Sequence, residues 1–241
     1  MRGIVRSGVV VALVVLALGV PVDKILASRF GVCCRMPKVQ SAVALTFDDG
    51  PDERYTPQIL DILAAHQVRA TFFVVGEHCE RNPALVRRII AEGHEIANHS
   101  QTHGDVSAMD AATLAREFEE SQRTLHQLGV EPVWYRPPRG VLNAAQRRLA
   151  SECGLRVALW SRVVERSRFR SAEEMAATLV GETLAGDILL SHDGRLDRTM
   201  TVEALPGLLG GLRAKGLDVV SLSELDARAR TRAPGAAGQT P

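Results

Sequence analysis

About seven times along the chain a short apolar run gives way to a stretch with helical spacing. That alternation leaves few folds open. The strand signals are Val43 to Leu45, Ala70 to Val75, His94 to Asn98, Val133 to Arg136, Leu155 to Trp160, Asp187 to Leu190 and Asp218 to Leu222. Between them, helical spacing predicts helices from Thr56 to His66, Asn82 to Glu92, Asp110 to Leu128, Asn143 to Cys153, Ser171 onward, Thr199 to Lys215, and a short one from Ser223. Asn82 before Pro83, and Ser171 three residues before Glu174, read as helix starts, while Gly93, Gly129, Gly154 and Gly216 read as stops. Strands separated by helices pair in parallel, so the expected class is α/β, either a barrel or an open sheet. No internal repeat is present.

In such folds chemistry gathers where strands end and loops begin. The first strand runs into Asp48-Asp49-Gly50-Pro51. Two adjacent carboxylates repel unless a metal or a cationic side chain offsets them. The third strand is followed by His99 and His103, the fourth ends on Arg136 with Gly140 close behind, and the sixth is followed by His192. Two histidines four apart, with an aspartate on the same rim, make a three-ligand set with an open position. That arrangement suits hydrolytic Zn²⁺ sites first, and also some Fe, Co or Ni sites. A metal there brings the pKa of a bound water from ~15.7 to about 7. With Asp49, His99 and His103 as ligands, Asp48 is the neighbouring general base and Arg136 the cation that orients it. His192, with an ordinary pKa near working pH, is the candidate general acid.

The rest of the chain narrows the setting. A length of 241 residues, 46% of them hydrophobic, supports one large domain. A net charge of +1 and few aromatics argue against a nucleic-acid partner. Arg2 and Arg6 precede an apolar run from Val9 to Val22, the pattern of a signal-peptide core. The expected organisation is a signal peptide or N-terminal anchor over 1–27, with 8–22 as its membrane-contacting part. A linker over 28–40, a catalytic domain over 41–227 and a disordered tail over 228–241 follow. The protein is expected to be an exported monomer at the cell envelope, in the periplasm or outside the cell. Cys33, Cys34, Cys79 and Cys153 allow three disulfide pairings. Cys79 and Cys153 read as buried thiols. His78 reads as a solvated or capping residue.

From Ser41 to Leu225 the chain resembles the polysaccharide deacetylase family, the NodB homology domain of carbohydrate esterase family four. Thr46-Phe47-Asp48-Asp49-Gly50-Pro51 matches the first motif and His99-Ser100 with His103 the second. Arg136-Pro137-Pro138-Arg139-Gly140 resembles the third, and Leu190-Ser191-His192 matches the last. The resemblance implies a distorted (β/α) barrel of about seven parallel strands and metal-dependent removal of acetyl groups from N- or O-acetylated sugars. It also implies that Leu190 lines an acetyl-methyl pocket and that the Arg139 backbone N–H faces an oxyanion. Arg139, Gly140, Leu190 and Trp160 are the expected substrate-contacting residues on an acetylated oligo- or polysaccharide.

The chain departs from the family pattern in two places. Arg139 stands where an aromatic is common. After the fifth strand, Val163 and Arg166 occupy the positions of an acidic partner for the acid histidine, and Ser167 that of a tryptophan. Glu165 is the substitute if that loop slips. Arg162, Arg166, Arg168 and Arg170 read as a solvated face or as contacts to an anionic glycan. Asp105 and Asp193 are candidate orienting residues. The degraded motif keeps two alternatives open, a catalytically impaired glycan-binding protein of the same fold and a deacylase of a non-sugar amide.

Overall fold

The computed structural model of the protein describes residues 32–231, apart from residues 107 and 166–168. The expected signal peptide or anchor, and residues 232–241 of the expected tail, lie outside them. Among the described residues, no helix is long and apolar enough to cross a membrane.

Nine strands form one sheet: β1 (Val32–Cys33), β2 (Ala42–Asp48), β3 (Thr71–Val74), β4 (Glu95–Asn98), β5 (Trp134–Tyr135), β6 (Arg156–Ala158), β7 (Arg162–Val163), β8 (Ile188–His192) and β9 (Asp218–Val220). Their spatial order is β1-β6-β5-β4-β3-β2-β8-β7, with β9 also pairing β2, and every strand pair is parallel. The ends of this order approach each other through an antiparallel bridge between Arg35 and Asp187. The Arg35 guanidinium also lies 2.9 Å from the Asp187 carboxylate. The result is the expected distorted barrel of parallel strands.

Two strands escape the periodicity reading. β1 falls within the expected linker, and Cys34, Met36 and Val39 behind it are buried. β7 is too short to show a period, and its partner is β8. Arg162 is not a solvated residue, because its Nε donates to the Asp187 carboxylate at 3.1 Å. Arg170 is exposed.

The helices are α1 (Thr56–His66), α2 (Gly76–Arg81), α3 (Pro83–Ala91), α4 (Ala111–Gln127), α5 (Ala144–Glu152), α6 (Ala172–Glu182), α7 (Thr199–Ala214) and α8 (Leu222–Thr231). Asp110 caps α4 and Asn143 caps α5 with a full capping box, while Asn82 makes no side-chain cap on α3. The six-residue α2 lies outside the helices expected from spacing and opens at Gly76, directly behind β3. α8 runs to Thr231, past the expected start of the tail.

Period-two alternation on β2 sorts its side chains. Val43, Leu45 and Phe47 face the helices and pack with Ile59, Leu60, Leu205 and Leu208. Ala42 and Ala44 face the barrel interior with Phe73, Ala97, Trp134 and Ala158. Thr46 and Asp48 continue that inner face. The small inner residues leave room for large ones, and each fully buried apolar side chain contributes about 1.5–3 kcal/mol. α8 closes the floor, where the Trp134 indole N–H donates to Ser223 Oγ at 2.9 Å. Cys33 and Cys79 remain thiols, burial pushing the Cys33 thiol up to about 12, and Cys153 is exposed rather than buried.

Candidate active site and metal centre

The inner face of β2 delivers its last residue, Asp48, to the rim. Its partner in register on β8 is His192, so parallel pairing alone sets these two side chains side by side. Asp49 then turns with φ +77°. Gly50 follows because nothing larger fits, a Cβ there falling 2.1 Å from an Asp193 oxygen. The His78 ring donates through Nδ1 to the Asp49 carbonyl at 2.7 Å. His78 is therefore a brace for Asp49 and not a solvated residue. Asp49, Ser100, His103, Arg139 and Arg195 all hold left-handed backbone. Such residues cost roughly 1–3 kcal/mol each and persist where surrounding bonds over-determine them.

Those bonds are visible around the histidine pair. The residues from His99 to His103 form a loop rather than a helical turn. Asn98 Oδ1 accepts from Ser100 N at 2.8 Å, and Ser100 Oγ accepts from His103 N at 3.0 Å. Glu117, on α4, accepts from Gln101 N at 3.1 Å, Thr102 N at 3.0 Å and Thr102 Oγ1 at 2.7 Å. A buried carboxylate thus satisfies the N–H groups that the loop leaves open.

The rings converge on Asp49. His103 Nε2 lies 3.1 Å and His99 Nε2 3.6 Å from Asp49 Oδ1. His99 Nδ1 donates to the Arg136 carbonyl at 2.7 Å, which leaves the Nε2 lone pair for a ligand. His103 Nδ1 is buried without a hydrogen-bond partner among the described residues. Burial opposes ionisation of Asp49, but the His103 and His99 rings hold its carboxyl well below the usual range. All three donor atoms lie within 4.8 Å of one another. One carboxylate oxygen and two imidazole nitrogens, buried and convergent, fit a divalent cation.

Arg136 is fully buried and lies over the Phe73 ring at 3.9 Å. Its Nη1 donates to Asp48 Oδ1 at 2.6 Å and to Thr46 Oγ1 at 2.9 Å. Nε and Nη2 donate to the carbonyls of Ala158 at 3.1 Å and Leu159 at 3.0 Å. A rigid fork so satisfied orients Asp48 and leaves Oδ2 facing the histidine donors, 3.7 Å from His99 Nε2.

Glu165 supplies the partner that the degraded motif lacks. Val163 stays in β7, and the chain beyond it carries Glu165 over the end of β8; Arg166, Ser167 and Arg168 lie outside the described residues. Glu165 Oε2 accepts from His192 Nδ1. Oε1 accepts from His192 N at 2.9 Å, Ser191 Oγ at 3.1 Å and Thr201 Oγ1 at 2.8 Å. Burial disfavours the His192 cation, yet the bond to Glu165 outweighs it and holds the pKa above the ordinary value. Asp48 adds to that effect and Arg198 opposes it. An acid with a raised pKa keeps its proton to higher pH. Glu165→Gln therefore moves the alkaline limb of kcat/KM to lower pH, and an unmoved limb in a pH–rate profile removes Glu165 from this role.

Asp48, Asp49, His99, His103, Leu190 and His192 line one pocket of about 350 Å³, with Arg139 and Trp160 at its mouth. Gly140 supports it, since its φ is +70° and a Cβ there meets the Trp160 ring at 2.7 Å. Arg139 points outward and pairs with exposed Asp105 at 3.2 Å, so Asp105 steadies the mouth. Asp193 is buried and accepts from Thr56 Oγ1 at 2.6 Å, bracing the Gly50 turn rather than His192. A larger cleft of about 590 Å³ opens at the opposite ends of the strands, beside Arg69, Glu92 and Asp218, and holds none of the motif residues. The reading from sequence missed Arg198, buried in the pocket wall.

A model of the polysaccharide deacetylase family matches residues 35–158. A peptidoglycan-N-acetylglucosamine deacetylase of Bacillus cereus is 37% identical over 80% of this chain and 92% of its own length. A chitooligosaccharide deacetylase of Sinorhizobium fredii is 35% identical over 76% of this chain and 91% of its own. The crystal structure of the Bc1960 peptidoglycan N-acetylglucosamine deacetylase superposes with a TM-score of 0.78 at 31% identity, covering 83% of this chain and 94% of that one. The chain belongs to the polysaccharide deacetylase family.

Proposed function

We propose that the chain removes acetyl groups from N-acetylated, or alternatively O-acetylated, sugars of an envelope or extracellular polysaccharide. The observation that carries this reading is a pair of proton-transfer groups on adjacent strands, each held by its own counter-charge. Asp48 is held by Arg136 and His192 by Glu165, and both face the Asp49, His99 and His103 donors. The relatives' names, peptidoglycan and chitooligosaccharide deacetylase, support a sugar as the substrate.

Asp49, His99 and His103 would hold the divalent cation, Zn²⁺ before Co²⁺, Ni²⁺ or Fe²⁺. When bound, the cation supplies Lewis-acid chemistry, acidifying water and polarising the acetyl carbonyl. Asp48 takes the proton of the attacking water on Oδ2, the oxygen that Arg136 does not hold. The Arg139 backbone N–H donates to the oxyanion, a contact worth about 2.7–4 kcal/mol at sites of this kind. His192 has Nδ1 committed to Glu165, so Nε2 delivers the proton to the departing amine or alkoxide. Leu190 receives the acetyl methyl and Trp160 walls the sugar.

The apolar run behind Arg2 and Arg6 supports export. The contact of Glu165 with His192 supports this reading over that of an impaired glycan-binding protein. Acetate release measured over matched N- and O-acetylated oligosaccharides tests the reading. Release from at least one sugar class supports it, while release only from non-sugar acetamides replaces it with the amide deacylase.

A further inference from the structure

Arg198 stands between the two halves of the site and belongs to none of the four motifs. Only 8% of it is exposed. Nε donates to the Gly194 carbonyl at 3.0 Å, which fixes the side chain along the β8–α7 loop. Nη2 lies 3.6 Å from Asp49 Oδ2 and Nη1 lies 3.7 Å from Glu165 Oε2. The two oxygens of Asp49 therefore keep separate company. Oδ1 faces His103 and His99, at 3.1 and 3.6 Å, and Oδ2 faces the guanidinium. The two oxygens of Glu165 are divided in a similar way, Oε1 among three donors and Oε2 between His192 and Arg198.

We propose that Arg198 is a positioning residue whose forked guanidinium holds Asp49 Oδ2, so that Asp49 offers Oδ1 alone to the cation, and ties that ligand to the Glu165–His192 pair. This rests on the reading of Asp49, His99 and His103 as metal ligands. A planar fork is suited to two carboxylates at once, which an ammonium is not.

Charge and positioning make opposite demands here, and that gives the inference a sign. As a bare positive charge, Arg198 repels a divalent cation, and its removal would tighten metal binding. As the group that fixes Asp49, its removal loosens metal binding, by about 10- to 100-fold as for other residues that orient metal ligands. Positioning wins if the ligand's alignment matters more than the screened repulsion.

The test is Arg198→Met in the full chain, with Co²⁺ affinity measured by chelator competition and the visible Co²⁺ spectrum recorded. The expected result is affinity at least about tenfold weaker, together with a changed band intensity as Asp49 becomes free to bind through both oxygens. Kinetically, kcat falls while KM for the glycan stays within about twofold. Arg198→Lys, which keeps the charge but reaches one carboxylate, gives a smaller loss of affinity. Affinity equal to or tighter than wild type in Arg198→Met overturns the inference, as does a raised KM with kcat kept, which marks a substrate contact. Should Arg198→Met fail to fold, wild-type affinity and spectrum in Arg198→Lys overturn it instead. A wild type that binds no Co²⁺ overturns the metal reading itself, and with it the role of Arg198; a wild type that binds overturns or sustains Arg198 alone.

Discussion

Asp48→Asn is expected to lower kcat by about 10²–10⁴-fold, the usual contribution of a positioned proton acceptor. Asn keeps an acceptor oxygen for the Arg136 Nη1 donor now 2.6 Å from Asp48 Oδ1. It also keeps the volume at a position 3% exposed. The fold and the Asp49, His99 and His103 donors should therefore persist. What is lost is Oδ2 as a place for a proton. The expected pattern is near-normal metal content and KM with a collapsed kcat. Acetate release at the wild-type rate would remove Asp48 from the mechanism.

The second large effect falls on stability. Arg136→Met should destabilise the protein by about 3–5 kcal/mol, as breaking one side of a buried ion pair does. The variant leaves Asp48 without its cation and leaves Thr46 Oγ1 and the carbonyls of Ala158 and Leu159 without a donor. Met fills much of the volume over the Phe73 ring but replaces none of these bonds. Urea unfolding at neutral pH measures the loss, and a change below about 1 kcal/mol would contradict the account. Activity falls too, because an unheld Asp48 no longer keeps Oδ2 toward the ligands.

Much of this was legible in the chain. The alternation of strand and helix follows from burial on two faces, and it points to a parallel barrel because parallel strands need crossovers. Asp48, Asp49, His99, Arg136 and His192 were legible because each ends or directly follows a strand with a readable apolar run, and His103 because it stands four residues after His99. β1 and β7 were not, since two residues show no period. Nor was α2, which is only six residues long and opens at Gly76, its backbone so close to Gln101 that a Cβ would meet that side chain at 1.9 Å.

The partner of His192 was legible only as an alternative, for a related reason. Counting along the loop put Val163 and Arg166 at the acidic positions, whereas pairing of β7 with β8 fixes Val163 beside Leu190 and brings Glu165 to His192. Register is a tertiary fact that spacing in one segment does not contain. Arg198 and His78 lay hidden for another reason. An arginine before a helix and a histidine within one are ordinary surface residues in sequence. Only burial, and contacts to Asp49 from two other elements, distinguish them.

The central claim is that a cation held by Asp49, His99 and His103 is needed to release acetate from a sugar polymer. The direct measurement titrates Zn²⁺ into chelator-stripped protein while following acetate release from N-acetylglucosamine oligomers and from peptidoglycan. The account predicts no release from stripped protein, a rise to a plateau at one cation per chain, and no rise in His99→Ala/His103→Ala. Release that persists without metal, or that Zn²⁺ restores equally in the double variant, would contradict it.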